Sequence, residues 1–466
     1  MQEQLLGDLD SNLWIIMSHP KAADKTGPMS SSTGQLFMES VINSGLSRSQ
    51  VRFEYLVNEI SPKDGFKHFV DRPNGFVQKK VAQLKERIRK HKPNLVLCVG
   101  SEPIEHIMGL TGILKWRGHV IWDNDLDTKL MCTFEPYHAW KQTRVEKKNK
   151  PGQYKFLMKN DINKAVRESE DEGVHHVQPD YIVRPSYADV MREFDRIEST
   201  AKVLSYDIEV VKPYEGHLMD CIGLSMDLTS GICIPLWVAN SDNMVIPYWK
   251  NPLEFEEVLR RLKRVLESDI PKVAQNSQFD TTVLRAYYNI TVNNVVWDTM
   301  VVAHELYCDL PKDLGTLISL YTDLPQHKHM IKSGSVMDRW HYNAADACAN
   351  LHVMEGQKRE MCVLEKMPED QWMHTNYYQH YMRITRPSIE TCNRMHLEGV
   401  KVDEDLRLYV TDKETAILDL LNDIMDDILP CQIDQKKNAP HKFNLDRKST
   451  RLNSSHVRTS RMPSSA

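Results

Sequence analysis

The sequence predicts a multidomain protein of the α/β class with a helical segment towards its carboxyl end. Residues 1–145 alternate short apolar runs, such as Leu13–Met17 and Asn94–Val99, with segments of helical apolar spacing, which is typical of a parallel sheet. Residues 179–366 begin with strand-like runs and continue with helices, which predicts a mixed sheet. Residues 367–445 have mainly helical spacing. A chain of 466 residues has room for about two to four such domains.

The composition is that of an ordinary globular protein, with 41% hydrophobic and 26% charged residues. No apolar run approaches the roughly 18 residues of a membrane span, and no signal peptide is found, so we expect a cytoplasmic protein without a membrane partner. Nine cysteines without a C-x-x-C pair argue for reduced thiols and against structural zinc. The net charge of −5 excludes a globally basic nucleic-acid coat but is compatible with a nuclease.

The stretch Lys202–Val211 reads as a buried strand that carries two carboxylates, Asp207 and Glu209. Side chains at i and i+2 of a strand point to the same face, so the two charges lie side by side. Such a pair is costly in an apolar strand unless a cation lies between them, and a divalent metal ion is the natural candidate. On this strand alone, two carboxylates wetted by solvent at the end of a sheet remain the alternative.

Two later stretches carry further candidates. Asn276 falls where a short strand ends and a helix begins, and Asp280 falls in the first turns of that helix, where it could also serve as a partner of the helix dipole. Tyr342 and Asp346 are four residues apart in an alanine-rich helix, so they share one face. The small residues of that helix would allow it to approach the sheet closely.

The three motifs Asp207-x-Glu209, Asn276-x-x-x-Asp280 and Tyr342-x-x-x-Asp346, in this order, resemble the exonuclease motifs of the DEDD superfamily. The tyrosine variant is typical of the 3′–5′ proofreading domain of family A (polymerase I-like) DNA polymerases. The resemblance implies a ribonuclease H-like fold for residues 179–366. It also implies hydrolysis of the 3′-terminal phosphodiester with two divalent ions, Mg²⁺ or Mn²⁺, held by hard carboxylate oxygens.

The resemblance gives each side chain a role. Asp207 would bridge both ions, Glu209 and Asp346 would complete one site, and Asp280 would hold the second ion through water. Tyr342 and Glu209 would orient the attacking water, whose pKa the metal lowers. Asn276 would position the second motif or the terminal nucleotide.

The partner implied is the single-stranded 3′ end of DNA, with replication proteins as further partners. Glu398–Asp403 resembles the turn that opens the polymerase region of family A enzymes, and His441–Leu445 resembles the Phe-Asn motif that follows it. Residues 446–466 look like a translated sequencing adapter. The chain is therefore expected to be a fragment of a phage-like polymerase, active in a bacterial cytoplasm as an exonuclease but unable to polymerise DNA.

Residues 1–145 resemble the uracil-DNA glycosylase superfamily, with an α/β/α fold. The shared features are Gly27-Pro28, Gly34–Leu36, Gly45–Arg48, Lys92–Gly100, Arg117-Gly118 and Thr133–Pro136. The first catalytic loop of that family reads Ser18–Lys21 here, its late histidine is replaced by Glu135, and its cluster-binding cysteines are missing. Base excision needs these groups. We therefore expect a catalytically degenerate domain that retains DNA contact, with an active glycosylase as the alternative, and a linker at 146–178.

Two rival functions remain open for the whole chain. One is a stand-alone DEDD nuclease that acts on RNA. The other is a non-catalytic DNA-binding scaffold with a glycosylase-like domain. A comparison of RNA with DNA substrates separates the first, and a titration with Mn²⁺ separates the second.

Overall fold

The computed structural model describes residues 6–24, 26–61, 65–139, 153–173, 178–211, 218–239, 245–327, 330 and 335–428. The chain divides into two compact units, Met1–Thr391 and Cys392–Ala466. The His441–Leu445 motif and the tail 446–466 lie outside the described residues. Within the described stretches, no helix is both long enough and apolar enough to cross a membrane.

The first unit begins with a five-stranded sheet in the order β2-β1-β3-β5-β4, parallel except for β4. Its strands are β1 (Leu13–Met17), β2 (Val51–Tyr55), β3 (Leu95–Val99), β4 (Ile121–Asp123) and β5 (Thr128–Thr133). Its longer helices are α1 (Ser32–Asn43), α2 (Phe76–His91) and α3 (Gln153–Ser169), and short helical turns cover Arg48–Gln50, Lys67–Val70, Ser101–Pro103, Ile104–Met108 and Ile113–Trp116. Alternate residues of β1 enter two separate cores, one on each face. The predicted parallel sheet with helices on both faces is confirmed.

The predicted linker at 146–178 is wrong for its middle part, because Gln153–Ser169 forms α3. Leu157, Ile162 and Ala165 recur at helical spacing and are buried in the same core as β1. The lysines and acidic residues of the stretch gave it the composition of a solvated connection, yet two of them, Asp161 and Lys164, are buried and hydrogen-bonded. Helix α3 therefore packs on the amino-terminal sheet as one of its structural helices.

A second, six-stranded sheet follows in the order β13-β12-β7-β8-β9-β6. The strands of this region are β6 (Asp180–Ile182), β7 (Leu204–Val210), β8 (Met219–Ser225), β9 (Ser230–Pro235), β10 (Trp237–Ala239), β11 (Val245–Pro247), β12 (Lys272–Ala274) and β13 (Val295–Asp298). Strand β7 pairs antiparallel with β8 and parallel with β12. The predicted mixed sheet is confirmed, and the carboxylate-bearing strand lies at its centre.

The helices of the second sheet are α4 (Tyr187–Thr200), α5 (Pro252–Leu266), α6 (Ser277–Tyr288), α7 (Thr299–Leu306), α8 (Leu314–Tyr321) and α9 (Val336–Glu365). Helix α9 packs directly on β7, β8 and β9. A Cβ at Gly223 would collide with the backbone oxygen of Asn343, and a Cβ at Gly231 would lie 3.0 Å from that of Ala344. The expected close approach of the alanine-rich helix is therefore observed, and two strand glycines allow it.

After α9 come a turn at Glu369–His374 and then one helical run through Asn376–His380, Tyr381–Thr385 and α10 (Arg386–Glu398). Thr375, between the turn and the run, is extended and caps the run through its side chain, which accepts from Tyr378 N. Trp372 and Tyr381 pack around Trp297, so these aromatic residues contribute to the core. In the second unit, α11 covers Glu404–Ile428.

Candidate active site

Strand β7 presents the two central carboxylates. Tyr206 and Ile208 point into the core and are buried, whereas Asp207 and Glu209 are partly exposed on the opposite face. Pairing on both sides fixes the backbone of the strand, with Asp207 opposite Gly223 of β8. The side chains that surround this strand decide between a wetted sheet end and a site.

The second motif lies directly against the first. Asp280, in the first turn of α6, is buried, and its Oδ1 accepts a hydrogen bond of 2.9 Å from Ile208 N, between Asp207 and Glu209. Asn276 is the N-cap residue directly before α6 and has a left-handed backbone with a φ of +55°. Asparagine is one of the few residues that tolerate this conformation. The structure thus gives Asn276 a backbone role at the start of α6, and contact with a nucleotide stays a prediction.

Asp298 holds the start of α6 and also begins α7. Its carboxylate accepts hydrogen bonds from Asn276 N at 3.2 Å and from Ser277 N at 2.7 Å. The same carboxylate accepts from Met300 N and Val301 N, as expected of an N-cap. One buried aspartate therefore fixes two helix starts relative to each other.

The third motif reaches the first through Asn343. Its Nδ2 donates to the backbone oxygen of Asp207 at 3.0 Å and to the Oδ2 of Asp207 at 2.8 Å. On the same helix, Asp346 is buried, and its Oδ1 lies within hydrogen-bond distance of His327 Nε2, at 2.6 Å. The ring of His327 lies 5.7 Å from that of Tyr342. Helix α9 thus joins the site through an amide, a carboxylate and a phenol.

The carboxylates interact strongly enough to change their protonation. Burial raises the pKa of Asp207 well above its usual range, and the charges of Asp346, Asp280 and Glu209 raise it further, whereas the amide of Asn343 lowers it. Burial likewise raises the pKa of Asp280, against the hydrogen bond from Ile208 N. The predicted carboxylates are therefore neighbours, and without a cation the site carries an excess of negative charge.

Tyr342 is suited to donate a hydrogen bond. Burial raises the pKa of its hydroxyl, and Asp346, as a charge and a hydrogen-bond partner, raises it further. The raised pKa of the phenol favours its protonated form, which can donate a hydrogen bond.

Metal binding fits the donor set, since four carboxylates supply the hard oxygen ligands that Mg²⁺ and Mn²⁺ prefer. Among the described residues, however, no group of three or more histidine, cysteine, aspartate or glutamate side chains is arranged so that it could hold a metal ion. The metal ions therefore stay a prediction, supported by the charge on these oxygens.

Three contributors to the site were missed from the sequence. Asn343 gave a signal, because an amide in a run of buried small residues needs a polar partner. His327 gave none, since it lies two residues after Pro325 in a segment without periodicity. The sequence around Asp298 signals a helix cap for α7 but not its second role at the start of α6.

At the amino-terminal sheet, the loop after β1 is buried at Ser18, His19 and Pro20. His19 is buried between Phe66 and Phe69, and Ser18 Oγ lies 3.1 Å from its Nδ1. His138, by contrast, lies at the surface, and its backbone N–H donates to Glu135 Oε2.

Comparisons with known proteins support the second sheet most directly. No curated protein matches the sequence. Among solved structures, the chain is similar to the POL domain of Pol1 from M. smegmatis in complex with DNA primer-template and dNTP, at 14% identity and a TM-score of 0.36. That similarity covers 55% of this chain and 38% of the other, so the chain spans well under half of that relative's length. Residues 193–355, which include all three motifs and every strand of the mixed ribonuclease H-like sheet except β6, match the family of 3′–5′ exonuclease domains of the DNA polymerase A type.

Proposed function

We propose that this chain removes nucleotides from the single-stranded 3′ end of DNA, as the proofreading exonuclease of a family A DNA polymerase. The observation that carries the proposal is the convergence of Asp207, Asp280 and Asp346 from three elements within the stretch that matches the exonuclease family. Burial, and after it the charges of Asp346, Asp280 and Glu209, raise the pKa of Asp207, and a carboxylate perturbed in this way is typical of a functional site.

The residues divide the work of phosphodiester hydrolysis. Four carboxylates, Asp207, Glu209, Asp280 and Asp346, would hold two divalent ions. When bound, Mg²⁺ or Mn²⁺ neutralises charge on the phosphate, activates water and stabilises the leaving 3′ oxygen. Asn343 fixes the carboxylate of Asp207, and the ring N–H of His327 can donate to Asp346. The protonated hydroxyl of Tyr342 orients the attacking water together with Glu209.

The test is the Mg²⁺-dependent release of nucleotides from a single-stranded oligonucleotide labelled at its 5′ end. Loss of a residue that only orients a metal ligand lowers metal affinity or activity about 10- to 100-fold. Loss of a ligand itself should cost more, so Asp207→Ala and Asp346→Ala should each lower nucleotide release by more than about a hundredfold. The matched control is Asp195→Ala, which removes an exposed carboxylate of the same domain that pairs with Arg261. Release unchanged in Asp207→Ala and Asp346→Ala would refute the assignment.

The same assay separates the rivals. Faster release from RNA than from DNA of the same sequence would favour a stand-alone RNA nuclease. A titration with Mn²⁺ that gives no binding signal, together with retained DNA binding, would favour a non-catalytic scaffold.

We propose further that the carboxyl-terminal part belongs to a polymerase region. The described part of that region contains the turn at Glu398–Asp403 and the helix α11. Replication proteins would be the partners of such a polymerase. For the amino-terminal sheet we propose a degenerate glycosylase-like domain, because the buried His19 stands where that family keeps an open catalytic loop.

A further inference from the structure

The seam between the amino-terminal sheet and the exonuclease sheet is built on buried polar contacts. Arg117 and Asp161, both in the amino-terminal part, are almost fully buried and form a bidentate pair in which Arg117 Nε lies 2.9 Å from Asp161 Oδ2. Thr133 Oγ1 donates to the same oxygen at 2.7 Å. Arg117 then crosses the seam and donates through Nη1 to Ser319 Oγ of α8, at 3.0 Å.

Close approach at this point depends on a glycine. Gly118 has a φ of +71°, and a Cβ there would lie 2.7 Å from Asp161 Oδ1 and 3.3 Å from Ser319 Cβ. The backbone after Arg117 therefore lies directly against α8, and the guanidinium is held with little freedom.

A short segment without helix or strand, Thr322–His327, runs from the end of α8 towards the active site; we call it the strap. The amino-terminal part holds the strap near both ends. Lys164 Nζ of α3 donates to Thr322 O at 2.8 Å, and Gln326 Nε2 donates to Lys115 O at 3.4 Å.

The strap ends in the side chain that meets the third motif. His327 Nε2 lies 2.6 Å from Asp346 Oδ1. His119, two residues after Arg117, lines the same small cavity as His327, Tyr342 and Asp346. Arg117 thus contacts Ser319, three residues before the strap, and the last residue of the strap contacts Asp346, an expected metal ligand.

We propose that Arg117 is a positioning residue of the exonuclease site, which acts through Ser319 and the strap to hold His327 against Asp346. The inference rests on the proposed exonuclease function. On this inference the amino-terminal sheet supports the geometry of the exonuclease site, a role that requires neither base excision nor DNA binding. Misplacement of a reacting group by about 1 Å can cost about a hundredfold in rate, so a loosened strap should lower kcat more than it changes KM.

The test compares Arg117→Met and Ser319→Ala with Arg52→Met in the full chain. Arg52 is equally buried and pairs with Glu54, but it lies in β2, at the far edge of the sheet from β5. We expect kcat for nucleotide release to fall about tenfold in Arg117→Met and severalfold in Ser319→Ala, with KM nearly unchanged, and to be retained in Arg52→Met well below its Tm. Partial recovery in Arg117→Lys would support the same link.

A double-mutant cycle identifies the route. If Arg117 acts through the strap, Arg117→Met should cause little further loss of kcat in a His327→Ala background. Hydrogen exchange in residues 322–327 should also rise in Arg117→Met and Ser319→Ala but not in Arg52→Met. If Arg117→Met does not fold, the test rests on Ser319→Ala, because that variant keeps the buried pair between Arg117 and Asp161.

Two outcomes would overturn the inference. If the wild-type chain releases nucleotides and Ser319→Ala matches it in kcat and in exchange of the strap, the positioning role is refuted while the proposed function stands. If the wild-type chain releases none, both are refuted.

Discussion

Asp207 is the side chain on which the electrostatics of the site converge. Burial and three neighbouring carboxylates raise its pKa in the metal-free native state above its pKa in the unfolded chain. At a pH between these two values, Asp207 is therefore protonated in the native state and ionised in the unfolded chain. Between the unfolded and folded pKa values, the native state binds more protons, and stability therefore falls as the pH rises. The metal-free protein should accordingly be least stable where all four carboxylates are ionised.

The substitution Asp207→Asn removes this charge and keeps an acceptor for Asn343. We expect the metal-free variant to melt above the wild type at pH 7, by about 1 °C for each kcal/mol recovered in a unit of this size, with the gap closing towards pH 4. Thermal melts at both pH values, with excess chelator, measure this. Asp195→Asn is the control, and a gap of equal size at both pH values would contradict the account.

Tyr342 should affect the rate through its hydrogen bonds. A bond to a charged or developing charge is worth about 1.5–3 kcal/mol, so Tyr342→Phe should lower kcat by about 10- to 100-fold. Because the pKa of the hydroxyl is raised, the kcat–pH profile of the wild type should show no rise with a midpoint near pH 10. Such a rise, absent from Tyr342→Phe, would instead identify the phenol as a base.

At the scale of elements, the close packing of α9 on the sheet determines where the third motif lies. Gly223 of β8 is opposite Asp207 and leaves no space for a side chain below Asn343. The substitution Gly223→Ala should push α9 away from β7, which lowers stability by about 1–3 kcal/mol and kcat by more than about tenfold. Thermal melts and release assays well below Tm check both effects, and unchanged kcat would show that α9 tolerates the displacement.

The elements that the sequence predicted are those with a local signal. Strand β7, the start of α6 and the face shared by Tyr342 and Asp346 all follow from periodicity and spacing. Helix α3 was missed because its charged faces dominate its composition. The strap was missed because a segment without periodicity has its position set by contacts distant in sequence, such as Lys164 with Thr322.

At the scale of the molecule, the amino-terminal sheet is expected to lack excision activity. In the proposed likeness to the glycosylases, Glu135 replaces the late histidine, and His19 is enclosed by aromatic rings. We therefore expect no uracil release from a single-stranded oligonucleotide that contains deoxyuridine, under conditions in which 3′ nucleotides are released. Abasic sites formed in proportion to enzyme, and retained in Asp207→Ala, would refute the degenerate assignment.

The two sheets also share a core. Leu310, from the segment between α7 and α8, is buried in the amino-terminal core beside Leu157 of α3, and Tyr307 packs against Phe156. A gene fusion that exchanged the amino-terminal sheet for another at a junction near residue 178 would leave these side chains facing a foreign surface. Recombination that separates the two sheets should therefore destabilise both, and we expect related proteins to carry the two sheets together.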